Sequence, residues 1–178
     1  MRHLKCKHIK ENPQSEFDFK GTGLPSPPEM ICGEFVDLSF KMICPGDSRY
    51  GFVPFYHFSI QLHDDQVIGH INFKVGSTPH VLFCAGHIGY KIEEPFRGHS
   101  YAYHSCKTLA PFIRSIYDSV ILTTAPDNYP SIRTIEKLGA TYLDLYPIPK
   151  EDPNYEKGTR LKCRYEWEPV IEQLSPIC

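Results

Sequence analysis

The sequence predicts an α+β fold: a central, mixed, mostly antiparallel twisted sheet with flanking helices. Three observations predict it. Short segments of alternating apolar and polar residues recur between positions 34 and 75, a strand, a helix, a strand and a helix follow between 81 and 139, and two more strand-like segments close the chain. With 178 residues and 41% hydrophobic content, the chain suits one domain with a sizeable core and is too short for two ordinary ones.

Residues 1–30 are polar and broken by "GTGLPSPPE", a Gly/Pro/Ser cluster that holds neither a helix nor a central strand, so they are read as an extended arm. The domain proper is expected over 31–170, with a tail over 171–178. "EFVDLSFKM", from Glu34, alternates imperfectly, as a strand with one wetter face does. "PFYHFSIQLH" and "QVIGHINFKV" continue the meander, with Asp64 and Asp65 supplying turn chemistry between them. "HVLFCAGHIGYKI" reads as one longer strand, interrupted at Gly86 and Gly89 by a bulge or a close backbone approach.

Ala102, Cys106, Leu109, Ile113 and Ile116 then fall at three- and four-residue spacings, one apolar stripe on a helix from about His99 to Tyr117 that Pro111 should kink. "SVILTTA" is a β-branched run suited to a strand covered on both faces. "NYPSIRTIEKLGA" reads as a short helix, with Asn128 as N-cap, Pro130 in the first turn and Gly139 as the stop. "TYLDLY" and "TRLKCRYEW" close the chain as strands, and the long polar loop between them, "PIPKEDPNYEKG", is read as functional or mobile.

Composition excludes several functions. The formal net charge of -2 provides no global positive field for nucleic acid or an anionic membrane, and the basic opening "MRHLKCKHIK" reads as a solvated tail. No apolar run approaches the roughly 20 residues that span a bilayer, and the N-terminus lacks the apolar core of a signal peptide, so a soluble cytoplasmic protein is expected. The seven cysteines are widely and irregularly spaced and are expected to be buried, reduced thiols. The nine histidines include no His-x-x-x-His pair, His63, His70 and His80 are read as lying near turns, and no metal site is expected.

The stretch "GHIGYKIEEPFRGHSYAYHSC", Gly86 to Cys106, carries the chemistry. A strand feeding a helix through a glycine leaves N–H groups without intrahelical partners, aimed at one spot that favours a phosphate. Gly98 allows close approach, Ser100 and Ala102 keep the rim open, and Arg97 can add a charged contact. An ordinary surface turn with a helix cap explains the same residues.

Together with "NYPSIRTIEKLGA", this stretch resembles the acyl-CoA-binding core of the GNAT N-acetyltransferases: strand, Arg-Gly-x-Gly/Ala loop, helix, strand, then Asn-x-x-Ser and Lys-x-Gly. The likeness covers about 34–168 and is greatest to the branch of ribosomal-protein N-terminal acetyltransferases and to a bacterial set without an assigned substrate. It implies that two parallel strands, the fourth and fifth of that fold, splay apart around pantetheine, and that the usual helical lid after the first strand is shortened to "ICPGDSRYGFVP", leaving the acceptor side open. Tyr90, Lys91 and Ile92 would then meet the pantetheine, while Arg97, Gly98, His99, Ser100, Tyr101 and Ala102 would cradle the pyrophosphate. Asn128 and Ser131 would face CoA, although Asn128 as a simple N-cap explains its own identity. Ser100 replaces the loop's second glycine, so its Cβ crowds the phosphate side unless it turns away or donates.

The implied reaction is acetyl transfer from acetyl-CoA to a primary amine, of a small molecule or a protein N-terminus, by direct attack, with no metal. His87 is the candidate base, standing where relatives in this branch have Glu; a buried histidine satisfied by a carbonyl is the plain alternative. Glu93 and Glu94 are runners-up, and the backbone near Gly89 and Tyr90 is the expected oxyanion donor. The tyrosine that relatives use as acid is replaced by Ile135, leaving Ser131 or Tyr129. His99 and His104 face the electropositive helix start and are not assigned to catalysis. A non-catalytic acyl-CoA-binding module is the alternative, as is an interaction protein pairing through the edge near 34–42; a homodimer is compatible with either.

Overall fold

The computed structural model describes residues 23–170. Five antiparallel strands form the first sheet: β1 (Met30–Ile31), β2 (Asp37–Cys44), β3 (Phe55–Gln61), β4 (Val67–Lys74) and β5 (Ile88–Ile92), in that order. Then come α1 (Tyr101–Ile116), β6 (Val120–Thr124), α2 (Tyr129–Lys137), β7 (Thr141–Pro147), α3 (Pro153–Glu156) and β8 (Leu161–Trp167). The last three strands make a second sheet of order β6-β8-β7.

Both long helices cover one face. Strand alternation turns Ile71 and Phe73 of β4 toward α1, where Phe112 meets the rings of Tyr56, Phe58 and Phe73 at 4.9, 6.2 and 5.9 Å between centroids. Ile135 of α2 joins the same core as Leu122 and Tyr165. Burying each such side chain stabilises the fold by about 1.5–3 kcal/mol. His70, Asn72 and Lys74 alternate to the other face, as do Lys162 and Arg164 of β8.

Several expectations change. Residues 23–30 belong to the domain, not to a free arm: Leu24 is buried, the Tyr56 hydroxyl donates to the Pro25 carbonyl at 2.6 Å, and Met30–Ile31 pair with Ser39 and Leu38. The remainder of the predicted arm, 1–22, and the predicted tail, 171–178, lie outside the described residues. "HVLFCAGHIGYKI" is not one strand. His80–Ala85 winds into a π-helical turn that buries Val81 and Cys84, a three-residue spacing the strand reading overlooked. Gly86, at φ +66, then redirects the chain; a Cβ there would lie 2.9 Å from the Thr123 nitrogen. His70 lies within β4, not at a turn. Cys32 is disulfide-bonded, whereas Cys44, Cys84, Cys106 and Cys163 are free thiols. The helices follow their capping signals: α2 starts at Asn128, whose side chain accepts the Ser131 N–H, and α1 continues through Pro111.

Candidate functional site

The two sheets meet at one point and separate beyond it. The His87 N–H donates to the Ile121 carbonyl at 2.7 Å, and the Ile121 N–H donates to His87 Nδ1 at 2.9 Å. Past this junction no ladder joins β5 to β6, and a cavity of about 190 Å³ opens between Gly89 and Tyr90 on one side and Thr123 and Thr124 on the other, lined also by Ser131 and Lys162. On the helix side, Tyr90 and Ser131 also line a separate cleft of about 360 Å³ between the starts of α1 and α2. The Tyr90 hydroxyl and Ser131 Oγ, which line both spaces, lie 3.1 Å apart.

The larger cleft is built to hold an anion. Gly98 at φ +88 and Ser100 at φ +60 are both left-handed, turning the chain out of the 3-10 turn Glu94–Phe96 into α1. Ser100 gives its helix no side-chain cap, so the first-turn N–H groups remain directed outward. Nothing lies within 4 Å of a Cβ built on Gly98. Arg97, Arg133 and Lys137 line the walls; Arg97 Nε is held by the Ile92 carbonyl at 3.0 Å, and Lys137 stands 4.2 Å over the Tyr103 ring and 3.4 Å from Ser100 Oγ.

Tyr90, Ile92, Arg97, Gly98, Ser100, Tyr101, Ala102 and Ser131 all line this cleft, and Asn128 lines the narrower cavity. His99 is exposed beside Tyr101, and Lys91 is exposed and paired with Glu93 at 3.0 Å. The catalytic expectations fare differently. His87 is 1% exposed; its Nδ1 lone pair already accepts the Ile121 N–H, Nε2 has no partner, and burial, with Lys74 nearby, pushes its pKa down to about 4. A ring so placed holds the two sheets at their junction and has no lone pair to offer an incoming amine. Glu93 is committed to Lys91, Glu94 starts the 3-10 turn, and Tyr129 is 67% exposed. His104 packs on Phe35 with ring centroids 4.0 Å apart, and Ile135 is buried in the core.

The face away from the helices holds what sequence reasoning missed. His80 Nδ1 lies 2.6 Å from Asp152 Oδ2, and both line a pocket of about 270 Å³ with Tyr50, Phe83, Cys84 and Tyr146. Burial would raise the Asp152 carboxyl, but hydrogen bonds from His80, the Asn154 N–H and Cys84 hold it below the usual carboxylate range. Burial and Asp152 push the Cys84 thiol up to about 12, which leaves it protonated. With Nδ1 engaged by the carboxylate, His80 Nε2 is the nitrogen able to take a proton. Cys84 borders this pocket and its neighbour Ala85 borders the cavity between the strands. Lys162 lines the cavity between the strands and acts through space on Cys84 and Asp152, and Lys74 Nζ lies 3.5 Å from a Cβ built on Gly89 of the same cavity. The signals for these residues were faint: Asp152 precedes a proline as an N-cap in the loop singled out for its length, and Lys74 and Lys162 are ordinary polar positions of alternating strands.

Among the described residues no group of three or more His, Cys, Asp or Glu converges as metal ligands, and no helix is long and apolar enough to cross a membrane.

Comparison with known proteins supplies a family. The model of the acetyltransferase (GNAT) domain matches residues 34–141. No curated protein sequence matches. Among solved structures, an acetyltransferase from Agrobacterium tumefaciens str. C58 superposes with a TM-score of 0.54 at 17% identity, over 81% of this chain and 96% of that one. The ribosomal-protein-S5-alanine acetyltransferase from Vibrio fischeri gives 0.49 at 13% identity, over 68% of this chain and 64% of that one. The microcin C7 self-immunity acetyltransferase MccE, in complex with acetyl-CoA and AMP, gives 0.47 at 15%, over 63% and 59%. The chain thus spans less than two thirds of the length of the latter two.

Proposed function

This chain belongs to the GNAT acetyltransferase family, and from that premise we propose that it transfers an acetyl group from acetyl-CoA to a primary amine by direct attack. The observation that carries the proposal is the pairing of two spaces that share Tyr90 and Ser131, a cationic cleft at the helix start after Gly98 and a narrow gap between splayed strands. A diphosphate with a thin thioester arm has that shape and charge. Arg97, Gly98, Ser100, Tyr101 and Ala102 would receive the pyrophosphate, mostly through N–H groups, with His99 at the rim. Tyr90, Lys91 and Ile92 would offer backbone groups to the pantetheine, and Asn128 and Ser131 would border its end.

With the thioester between Gly89 and Thr123, the amine approaches from the face away from the helices. The proton goes to His80, which Asp152 orients; the orienting carboxylate and the accepting ring nitrogen reproduce the geometry of a base that turns over. Strand N–H groups near Gly89 and Tyr90 would receive the oxyanion. The departing thiolate would take its proton from Ser131, whose hydroxyl already meets Tyr90; Tyr129, exposed to solvent, is the less well placed donor. His87 keeps the strands joined at the closed end.

The test is release of CoA thiol from acetyl-CoA across a panel of amines and N-terminal peptides, with acetyl-CoA binding measured on the same preparation by thermal shift. Binding with acceptor-dependent thiol is the expected result. Binding without thiol for any acceptor would make the chain an acyl-CoA-holding module, and no binding at millimolar acetyl-CoA would remove the reading altogether.

A further inference from the structure

Two lysines stand where the acceptor must arrive, and neither has a carboxylate of its own. A Cβ added at Gly89 would lie 3.5 Å from Lys74 Nζ, so the ammonium touches the strand residue that lines the gap. Lys162, on β8 across the gap, lines the same cavity. Both side chains are half-buried, on the face opposite α1 and α2. No ion pair or hydrogen bond engages either ammonium among the described residues. The acid nearest Lys162, Asp152, is taken by His80 and the Asn154 N–H, and Asp127 acts on it only through space. Around Lys74 the remaining polar groups of its face are His57, bonded through Nδ1 to Asn72 at 2.7 Å, and His70, whose ring lies 5.3 Å from that of His57.

Withdrawing two like charges from water toward one another is costly unless an anion completes the set. The cost is visible in their titration: burial, then Lys162, brings Lys74 down to about 8, and burial lowers Lys162. CoA phosphates do not supply the anion, because their cleft opens at the other face, at the start of α1.

We propose that Lys74 and Lys162 form an anion-reading pair for the acceptor, which therefore carries a carboxylate a few bonds from the amine that is acetylated. This rests on the acetyltransferase reading above and narrows its substrate class. A free amino acid and a peptide N-terminus followed by Asp or Glu both present that chemistry. In either, the carboxylate would sit between the two ammonium groups while the amine faces the thioester carbonyl beside Gly89. The amine nitrogen then forms the C–N bond, the C–S bond breaks, the amine proton leaves to His80, and CoA departs as the thiol.

The experiment measures kcat/KM for matched acceptors that differ only in charge: amino acids against their carboxamides, and peptides with Asp or Glu second against Asn or Gln second. It uses the wild type, Lys74→Gln, Lys162→Gln and the double variant, with acetyl-CoA affinity measured alongside. The wild type should favour the carboxylate member by at least tenfold, each single substitution should cut that preference severalfold through KM, and the double variant should erase it. Preference in the amino-acid pairs identifies a small-molecule acceptor; preference in the peptide pairs identifies an acidic N-terminus. Equal rates for charged and neutral members in the wild type would overturn the proposal, as would a preference that survives in the double variant. No thiol release with any acceptor, despite tight acetyl-CoA binding, would overturn the enzymatic reading itself and this one with it.

Discussion

The two faces of the splayed strands are built from different materials. On the helix side the cleft is shaped largely by backbone, with left-handed Gly98 and Ser100, an uncapped helix start and a strand edge, and with Arg97, Arg133 and Lys137 on its walls. On the opposite face the site is made by side chains drawn from four separate segments, with Lys74 on β4, His80 on the π-helical turn, Asp152 in the loop after β7 and Lys162 on β8. A backbone site holds a cofactor common to many proteins, and a side-chain site can vary its acceptor without disturbing the first. The helix side should thus govern acetyl-CoA affinity and the open face should govern turnover.

The largest expected effect tests that division on the open face. His80→Ala should lower kcat by about 10²-fold or more, the usual size of a general-base contribution, while acetyl-CoA affinity stays near the wild-type value. Asp152→Asn should reproduce part of that loss, because the ring loses its orienting charge. Single-turnover rates and thermal shift on one preparation check both. A His80 variant with unchanged kcat would send the search for the base to water or to the backbone.

Gly98→Val is the complementary test on the helix side. Its φ of +88 already disfavours a β-branched residue by about 1–2 kcal/mol, and the new side chain would fill the empty space meant for phosphate. The acetyl-CoA stabilisation, about 2.7 kcal/mol at a hundredfold excess over Kd in the wild type, should vanish. Persistence of the thermal shift in this variant would mean that the diphosphate lies elsewhere.

His87 sharpens the comparison because it stands at the junction of the two faces. His87→Ala should cost about 1–3 kcal/mol of stability by leaving the buried Ile121 N–H unsatisfied, with any rate loss following the folded fraction. Its pH signature has a definite sign. The folded ring titrates near 4 and the unfolded one near 6.5, so between those values the unfolded state binds more protons and stability falls as pH drops. The His87 contribution is complete above about pH 6.5 and gone below about pH 4, on the order of 3 kcal/mol in total. Urea melts of wild type and His87→Ala across that window should converge toward the acid end. The smallest effect belongs to Asn128: its replacement by Ala should cost about 1 kcal/mol through the lost α2 cap, and a larger loss in acetyl-CoA affinity than in stability would assign it to the ligand as well.

Most of the helix-side site was legible because its determinants are local. A glycine that must be left-handed, an N-cap three residues before the N–H it accepts, and an apolar stripe at helical spacing each announce themselves within a few positions. The same locality misled the reading of 80–92. Alternation near Gly89 was extended backward over "HVLFCA", whose buried Val81 and Cys84 fit a turn of helix equally well. His87 reads differently for a related reason: its place on the strand made it the candidate base, and only packing reveals that its ring is buried and its lone pair spent on Ile121.

By itself, then, the sequence determined most of the order of strands and helices and the glycine loop, since these depend on backbone preferences expressed over short spans. Only the tertiary structure decided which histidine is buried, which one meets a carboxylate, and where the unpaired lysines gather. His80 and Asp152 are 72 positions apart and meet at 2.6 Å, and Lys74 and Lys162 sit on different sheets. Their proximity arises from two sheets that touch at His87 and Ile121 and then diverge, a long-range geometry that no local spacing of residue types encodes.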